Sequence, residues 1–274
     1  MTLATFQRPL LMIGCGNMAG AMLSRWLDAG LAPAHVTVVD PGRGEAPAPG
    51  VTLLAKLPNT LPDGAVILLG VKPQALPDVA PMLSPLLGES HLIVSMLAGV
   101  TVERLRASLG RRAAMIRIMP NTPVALGKGV VAFFADDSAG ADALSDARRL
   151  FAPLGLVERM EDEAQFNLLT ALTGCGPAFV FRFIDALSQA AVSLGMEELS
   201  AARLALATVE GAAALASQAD ESPAILADRV ASKGGMTREG LDVLDENGRL
   251  VSLLTDMMRA AEARGVELER LAAG

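Results

Sequence analysis

Apolar residues run almost unbroken through several short stretches of the first half of the chain. These are Leu10–Ile13, Val36–Val39, Val66–Leu69, Leu92–Met96, Met115–Met119 and Val130–Phe134. Val, Ile and Leu dominate them, as in strands buried on both faces of a parallel sheet. Between them, apolar positions recur at helical spacing near Ala19–Ala29, Leu76–Leu87, Val102–Leu109 and Ala141–Phe151. Pro and Gly gather in the connections, as in Pro41-Gly42 and Pro47-Ala48-Pro49-Gly50. The alternation predicts an α/β domain, a doubly wound parallel sheet, over residues 1–160.

From residue 161 to 274 the pattern changes. Leu, Ala and Met recur at helical spacing through Glu161–Thr173, Ala178–Leu194, Ser200–Gln218, Ser222–Val230, Thr237–Glu246 and Leu250–Arg264. This predicts an all-helical second domain. Ala201–Ala216 carries only Arg203 and Glu210 as charges. A helix apolar nearly all round is buried, often against another chain.

Composition narrows the chemistry. The chain is 51% hydrophobic and 3% aromatic, with no Tyr, one Trp (Trp26), two His (His35, His91) and two Cys (Cys15, Cys175). That is too little Cys and His for a zinc site, so no metal is expected. Neither His sits near a nucleophile motif, so a Ser-His-Asp triad is not expected. A tyrosyl proton donor is excluded. Proton chemistry falls to Thr, Ser, Lys, carboxylates, water or the substrate. Two distant Cys, and no charged region before the first apolar stretch, fit a cytoplasmic protein. The net charge is −7 without a basic run, which gives no footprint for nucleic acid. Mean hydropathy is +0.41. The uncharged stretch Ala164–Phe181 contains Gln165, Asn167, Gly174, Gly176 and Pro177, and is read as too polar and too broken to span a membrane. The excess apolarity is assigned to two cores or a large subunit interface.

The first chemical signal follows the first strand: Gly14-Cys15-Gly16-Asn17-Met18-Ala19, a G-x-G-x-x-A turn opening a helix. Gly14 permits the tight turn, Gly16 lets the backbone approach a pyrophosphate, and small Ala19 lets the helix pack on the strand. The helix N-terminus favours the anion. This marks the sheet as a Rossmann domain for a dinucleotide. Asp40 ends the second strand, where an acid reads the ribose 2′-hydroxyl of NADH. Arg43, three residues on, suits the 2′-phosphate of NADPH. The sequence leaves NADPH and NADH both open.

Further segments resemble the pyrroline-5-carboxylate reductase family. Val71-Lys72-Pro73-Gln74, Ser95-Met96-Leu97-Ala98-Gly99 and Arg117-Ile118-Met119-Pro120-Asn121-Thr122-Pro123 follow successive strands or complete them. Thr170-Ala171-Leu172-Thr173-Gly174-Cys175-Gly176-Pro177-Ala178 and Ser232-Lys233-Gly234-Gly235-Met236-Thr237 lie in the helical half. They are similar to the family's VKP, S-x-x-AG, MPNTP, ALSGSGPAY and SPGGTT signatures, in order along nearly the whole chain. Cys175 stands where the family has Ser, Phe179 where it has Tyr, Lys233 for Pro, and Met236 for a small or hydroxylated residue.

The resemblance implies a Rossmann domain followed by an all-helical substrate-binding and dimerisation domain. It implies NAD(P)H-dependent reduction of the C=N bond of 1-pyrroline-5-carboxylate to L-proline. Asn59, Val71, Lys72, Pro73, Ala98 and Gly99 would join the glycine turn, Asp40 and Arg43 around the cofactor. Ser232 and the amides of Gly234, Gly235, Met236 and Thr237 would bind the carboxylate, in a glycine loop before a helix that suits an anion. Gly176 and Pro177 would wall the site, at a break in a helical run. The Thr237 hydroxyl would act as the catalytic group at the substrate nitrogen; the sequence equally allows it to cap its helix. The family's habit implies a dimer through the helical domain, and rings of such dimers. A related two-domain reductase of another small carboxylate would carry a catalytic Lys in a long helix, but none occurs between Glu161 and Ser232. A non-catalytic nucleotide-binding scaffold would not need the Ser232–Thr237 loop.

Overall fold

The computed structural model describes residues 2–273. The N-terminal strands are β1 (Leu10–Ile13), β2 (Val36–Val39), β3 (Thr52–Leu54), β4 (Val66–Leu69), β5 (Leu92–Ser95), β6 (Ala114–Pro120), β7 (Gly129–Ala135) and β8 (Gly155–Arg159). They form one sheet of order β3-β2-β1-β4-β5-β6-β7-β8. The helices α1 (Asn17–Asp28), α2 (Leu76–Leu83), α3 (Val102–Leu109) and α4 (Ala141–Phe151) connect them. Strand order reverses between β1 and β4, so the carboxyl ends of these strands flank the crevice of a doubly wound sheet.

Alternate side chains of each strand feed two cores. From β4, Val66 and Leu68 join Trp26, Phe133 and Phe151 on one face; Ile67 and Leu69 join Leu83, Leu105 and Leu109 on the other. All are buried, and each aliphatic side chain withdrawn from water stabilises by about 1.5–3 kcal/mol. The one polar atom of Trp26 is not stranded: its Nε1 donates to the Leu150 carbonyl at 2.7 Å.

The sheet departs from the expected all-parallel arrangement at β7, which runs antiparallel to β6. The connection Asn121–Lys128 holds only a 3₁₀ turn, Thr122–Leu126, and is too short for a parallel crossover. Strand β8 then returns parallel to β7 through α4. The helix expected to reach Leu87 ends at Leu83 and gives way to a 3₁₀ turn, Ser84–Leu86, at Pro85.

The second half is helical: α5 (Phe166–Leu169), α6 (Gly176–Ser193), α7 (Glu198–Gln218), α8 (Pro223–Arg229), α9 (Met236–Asp245) and α10 (Arg249–Ala273). The chain divides into two compact units, 1–175 with 261–274, and 176–260. Phe166 and Ala171 are buried within the first unit, which holds the start of the helical region, and the end of α10 returns to it. In the second unit α6 packs on α7, yet large apolar side chains stay exposed, including Phe181, Phe183 and Leu199.

Candidate active site

The glycine turn is set by a backbone contact. Gly14 has φ +84°, and a Cβ there would stand 2.9 Å from both the Gly70 carbonyl oxygen and Val71 Cγ1. A Cβ on Gly70 would meet the Gly14 oxygen at 2.7 Å and Ala19 Cβ at 3.1 Å. The ends of β1 and β4 therefore approach closer than side chains allow. Gly16, by contrast, faces open space, with no atom within 4 Å of its would-be Cβ. It caps α1 without a side-chain bond, and the first intrahelical bond runs from Gly20 N–H to Gly16. The amides of Asn17, Met18 and Ala19 are left free by helix geometry. A pyrophosphate fits this open glycine and these donors.

Asp40 is tied to the same turn. Its Oδ2 accepts from Cys15 N–H at 3.0 Å and its Oδ1 from Gly42 N–H at 3.1 Å. Arg43 Nη2 donates to the Cys15 carbonyl at 3.1 Å. Asp40 and Arg43 thus share one anchor, the backbone of Cys15. Burial pushes the Cys15 thiol up, Arg43 opposes this, and Asp40 adds to it. Burial thus disfavours the thiolate of this small, buried side chain.

Gly14, Cys15, Gly16, Asp40, Asn59, Val71 and Lys72 come together around a cavity of about 1020 Å³ at the crevice. A neighbouring space of about 500 Å³ is bounded by Asp40, Gly42 and Arg43. The sequence reading missed the apolar wall of the larger cavity, where Leu57, Pro58, Val79 and Met82 lie. Leu57 and Pro58 come from the loop after the three-residue β3, and Val79 and Met82 from α2. Pro73 instead opens a 3₁₀ turn, Pro73–Ala75, and Ala98 and Gly99 lie outside the cavity lining.

At the expected break, Gly174–Pro177, the regular α-helix gives way and restarts. Residues Thr170–Gly174 form a π-helical turn, in which Cys175 N–H donates to the Thr170 carbonyl at 2.9 Å, and α6 resumes at Gly176 with Pro177 in its first turn. Pro177 has no N–H to return to the preceding turn, which leaves the carbonyl of Thr173 open to another donor. Buried Asn121 holds this turn: its Nδ2 donates to the Thr173 carbonyl at 2.9 Å, and its Oδ1 accepts from Val130 N–H at 2.8 Å. Asn121 sits in the Met119–Pro123 segment, whose spacing carries no sign of this role.

In the second unit, Ser232–Gly235 turns into α9. Gly234 has φ +72°, and Gly235 N–H donates to the Ser232 carbonyl at 2.9 Å. Gly235, not Thr237, is the N-cap, so the alternative of a capping threonine does not hold. The first helical bond runs from Glu239 N–H to Gly235. The amides of Met236, Thr237 and Arg238 are therefore free, whereas that of Gly235 is already engaged. The Arg238 guanidinium donates to Asp228 at 2.6 Å, which raises its affinity for the proton and ties α8 to α9.

These features have close relatives. A family model described as "Pyrroline-5-carboxylate reductase dimerisation" matches residues 163–268, and one described as "NADP oxidoreductase coenzyme F420-dependent" matches residues 10–99. The chain is 33% identical to a pyrroline-5-carboxylate reductase of Pseudomonas aeruginosa, over 93% of this chain and 95% of that one. It is 35% identical to one from Aquifex aeolicus, over 86% and 88%. The solved structure of a pyrroline-5-carboxylate reductase from Coxiella burnetii superposes with TM-score 0.86 at 31% identity, covering 95% of this chain and 98% of that one. The chain belongs to the pyrroline-5-carboxylate reductase family.

Membership explains the exposed apolar helices. Helical structure runs through Glu163–Ser193, and Glu198–Gln218 follows. By length and composition alone, both are apolar enough to cross a membrane. Both lie within or overlap the region matched by the reductase dimerisation model, and this chain self-associates through it. Of the departures from the family's motifs, Lys233 is exposed, Cys175 and Phe179 are half-buried, and Met236 is 94% exposed.

Proposed function

We propose that this chain reduces 1-pyrroline-5-carboxylate to L-proline with NADPH or NADH. The observation that carries the reading is the Gly14–Gly70 crossing with open Gly16 at the strand-order reversal, in a chain similar to reductases along nearly its whole length. The nicotinamide cofactor supplies the hydride. The free amides of Asn17, Met18 and Ala19 hold its pyrophosphate, and Asp40 and Arg43 read its ribose. Asn59, Val71, Lys72, Pro73, Ala98 and Gly99 set its position.

The substrate carboxylate sits on Ser232, Gly234 and the amides of Met236 and Thr237. Gly176 and Pro177 wall the imine. Protonated at nitrogen, the imine is already an electrophile. Hydride adds to its carbon while the C=N π pair becomes the nitrogen lone pair. Orientation supplies most of the acceleration, and the Thr237 hydroxyl holds the nitrogen. Loss of reduced-nicotinamide absorbance on adding pyrroline-5-carboxylate, with one proline formed per cofactor oxidised, is the expected result. No turnover at saturating substrate would overturn the reading in favour of a scaffold.

Arg43→Ala separates the two cofactors. The substitution removes the cation beside Asp40, so kcat/KM with NADPH should fall about 10-fold, the scale of one charge-assisted hydrogen bond, while NADH is little affected. Equal loss with both would show that Arg43 does not read a 2′-phosphate. We place the enzyme in the cytoplasm, without nucleic-acid or membrane partners, as dimers that assemble into rings. Light scattering distinguishes the ring from the dimer.

A further inference from the structure

Arg117, in β6, is 1% exposed and has no part in the chemistry above. Its Nη1 donates to Glu163 Oε1 at 3.0 Å, and its Nη2 to Glu269 Oε1 at 3.2 Å. Its guanidinium lies 4.5 Å from the centre of the Phe166 ring. A buried cation costs desolvation and by itself does not argue for stability. What the cluster holds in place is more informative.

It surrounds one loop. Arg117 pairs in register with Ser95, the last residue of β5. Glu163 Oε1 also accepts from Val102 N–H at 3.0 Å, at the start of α3. Between these points Gly99, at φ +72°, lies against α10: a Cβ there would be 3.3 Å from both Cα and N of Glu269. The second oxygen of Glu269 accepts from Asn167 Nδ2 at 2.9 Å. The loop therefore starts beside the Arg117 strand, passes in its middle against the α10 backbone at Glu269, whose carboxylate Arg117 grips, and is held at its end by the Glu163 carboxylate.

We propose that Arg117, Glu163 and Glu269 are positioning residues, which use the last turns of α10 to set the Ala98–Gly99 loop for the nicotinamide half of the cofactor. This rests on the reading of Ala98 and Gly99 as cofactor contacts. Glu269→Gln keeps the side-chain shape and removes the charge that Arg117 grips. The full-length variant is titrated with NADPH and, separately, with ADP, which carries only the adenosine half.

The Kd for NADPH should rise roughly 3–10-fold, the usual scale of coupling between groups in contact, with KM for NADPH following it. The Kd for ADP and the KM for pyrroline-5-carboxylate should not change. An equal loss of ADP binding would mean general loosening and would overturn the proposal, as would an unchanged NADPH Kd. Ala98→Leu tests the underlying reading. If it leaves NADPH binding untouched, the loop does not meet the cofactor and both readings fall. If it weakens NADPH while Glu269→Gln does not, only the positioning role falls.

Discussion

Gly14→Ala should lower kcat/KM about 100-fold or more, mostly through weaker cofactor binding, and should lower the melting temperature as well. Two effects add. At φ +84° any side chain costs about 1–2 kcal/mol of backbone strain. The new methyl would also press on the Gly70 carbonyl and Val71 Cγ1 at 2.9 Å. Gly70 cannot retreat freely, because it already packs on the Gly14 oxygen and near Ala19. The turn must open, and the amides that follow it lose their aim. Gly16→Ala is the matched control. Its methyl meets nothing within 4 Å, so the fold should be indifferent and the melting temperature unchanged. It should still weaken NADPH binding, since the space it enters is the space a pyrophosphate needs. Melting curves and fluorescence titration of both variants check this pair. A Gly14→Ala protein with unaltered NADPH affinity would remove the turn from the site.

The parts of the fold legible in the sequence are those whose cause is local. Doubly buried strands such as Val66–Leu69 declare themselves by unbroken apolar runs, and the structure places them within a residue of expectation. The strands that went unseen are edge or near-edge pieces. Three-residue β3 follows a Pro- and Gly-rich loop, and β8 alternates exposed and half-buried positions, with Glu158 and Arg159 among them. The reversal of β7 depends on connection length, not composition. The glycine turn, Asp40, Asn59 and Val71-Lys72 gather at one crevice because each follows a strand of the same sheet, a relation that motif spacing carries. The Arg117 cluster has no such signature. Glu269 lies 152 residues further along the chain, and nothing periodic links the two. Thr237 shows the opposite case: two roles fitted the sequence, and helix geometry removed capping by giving it to Gly235.

That removal sharpens the expectation for Thr237→Ala. A threonine that caps its helix would lose about 1 kcal/mol of stability on truncation. Thr237 is the second residue of α9 and exposed, so its hydroxyl is free of any such duty. The fold should therefore be unaffected, and the loss should appear in catalysis. The chain has no Tyr, and Phe179 stands where the family carries a phenol, so the hydroxyl has no obvious understudy at the imine nitrogen. Losing a hydrogen bond that strengthens as the nitrogen gains its lone pair should lower kcat/KM about 10–100-fold, or roughly 1.4–2.7 kcal/mol of transition-state stabilisation. The drop should lie in kcat more than in KM, because the proposed carboxylate site, Ser232 and the neighbouring amides, is untouched by the substitution. Thr237→Ser keeps the oxygen and should recover most of the rate; Thr237→Val keeps the shape and should not. Melting curves matching the native protein, together with this order of rates, would assign the hydroxyl to the reaction. Undiminished kcat/KM in Thr237→Ala would leave proton delivery to water and the substrate, with the protein contributing orientation alone.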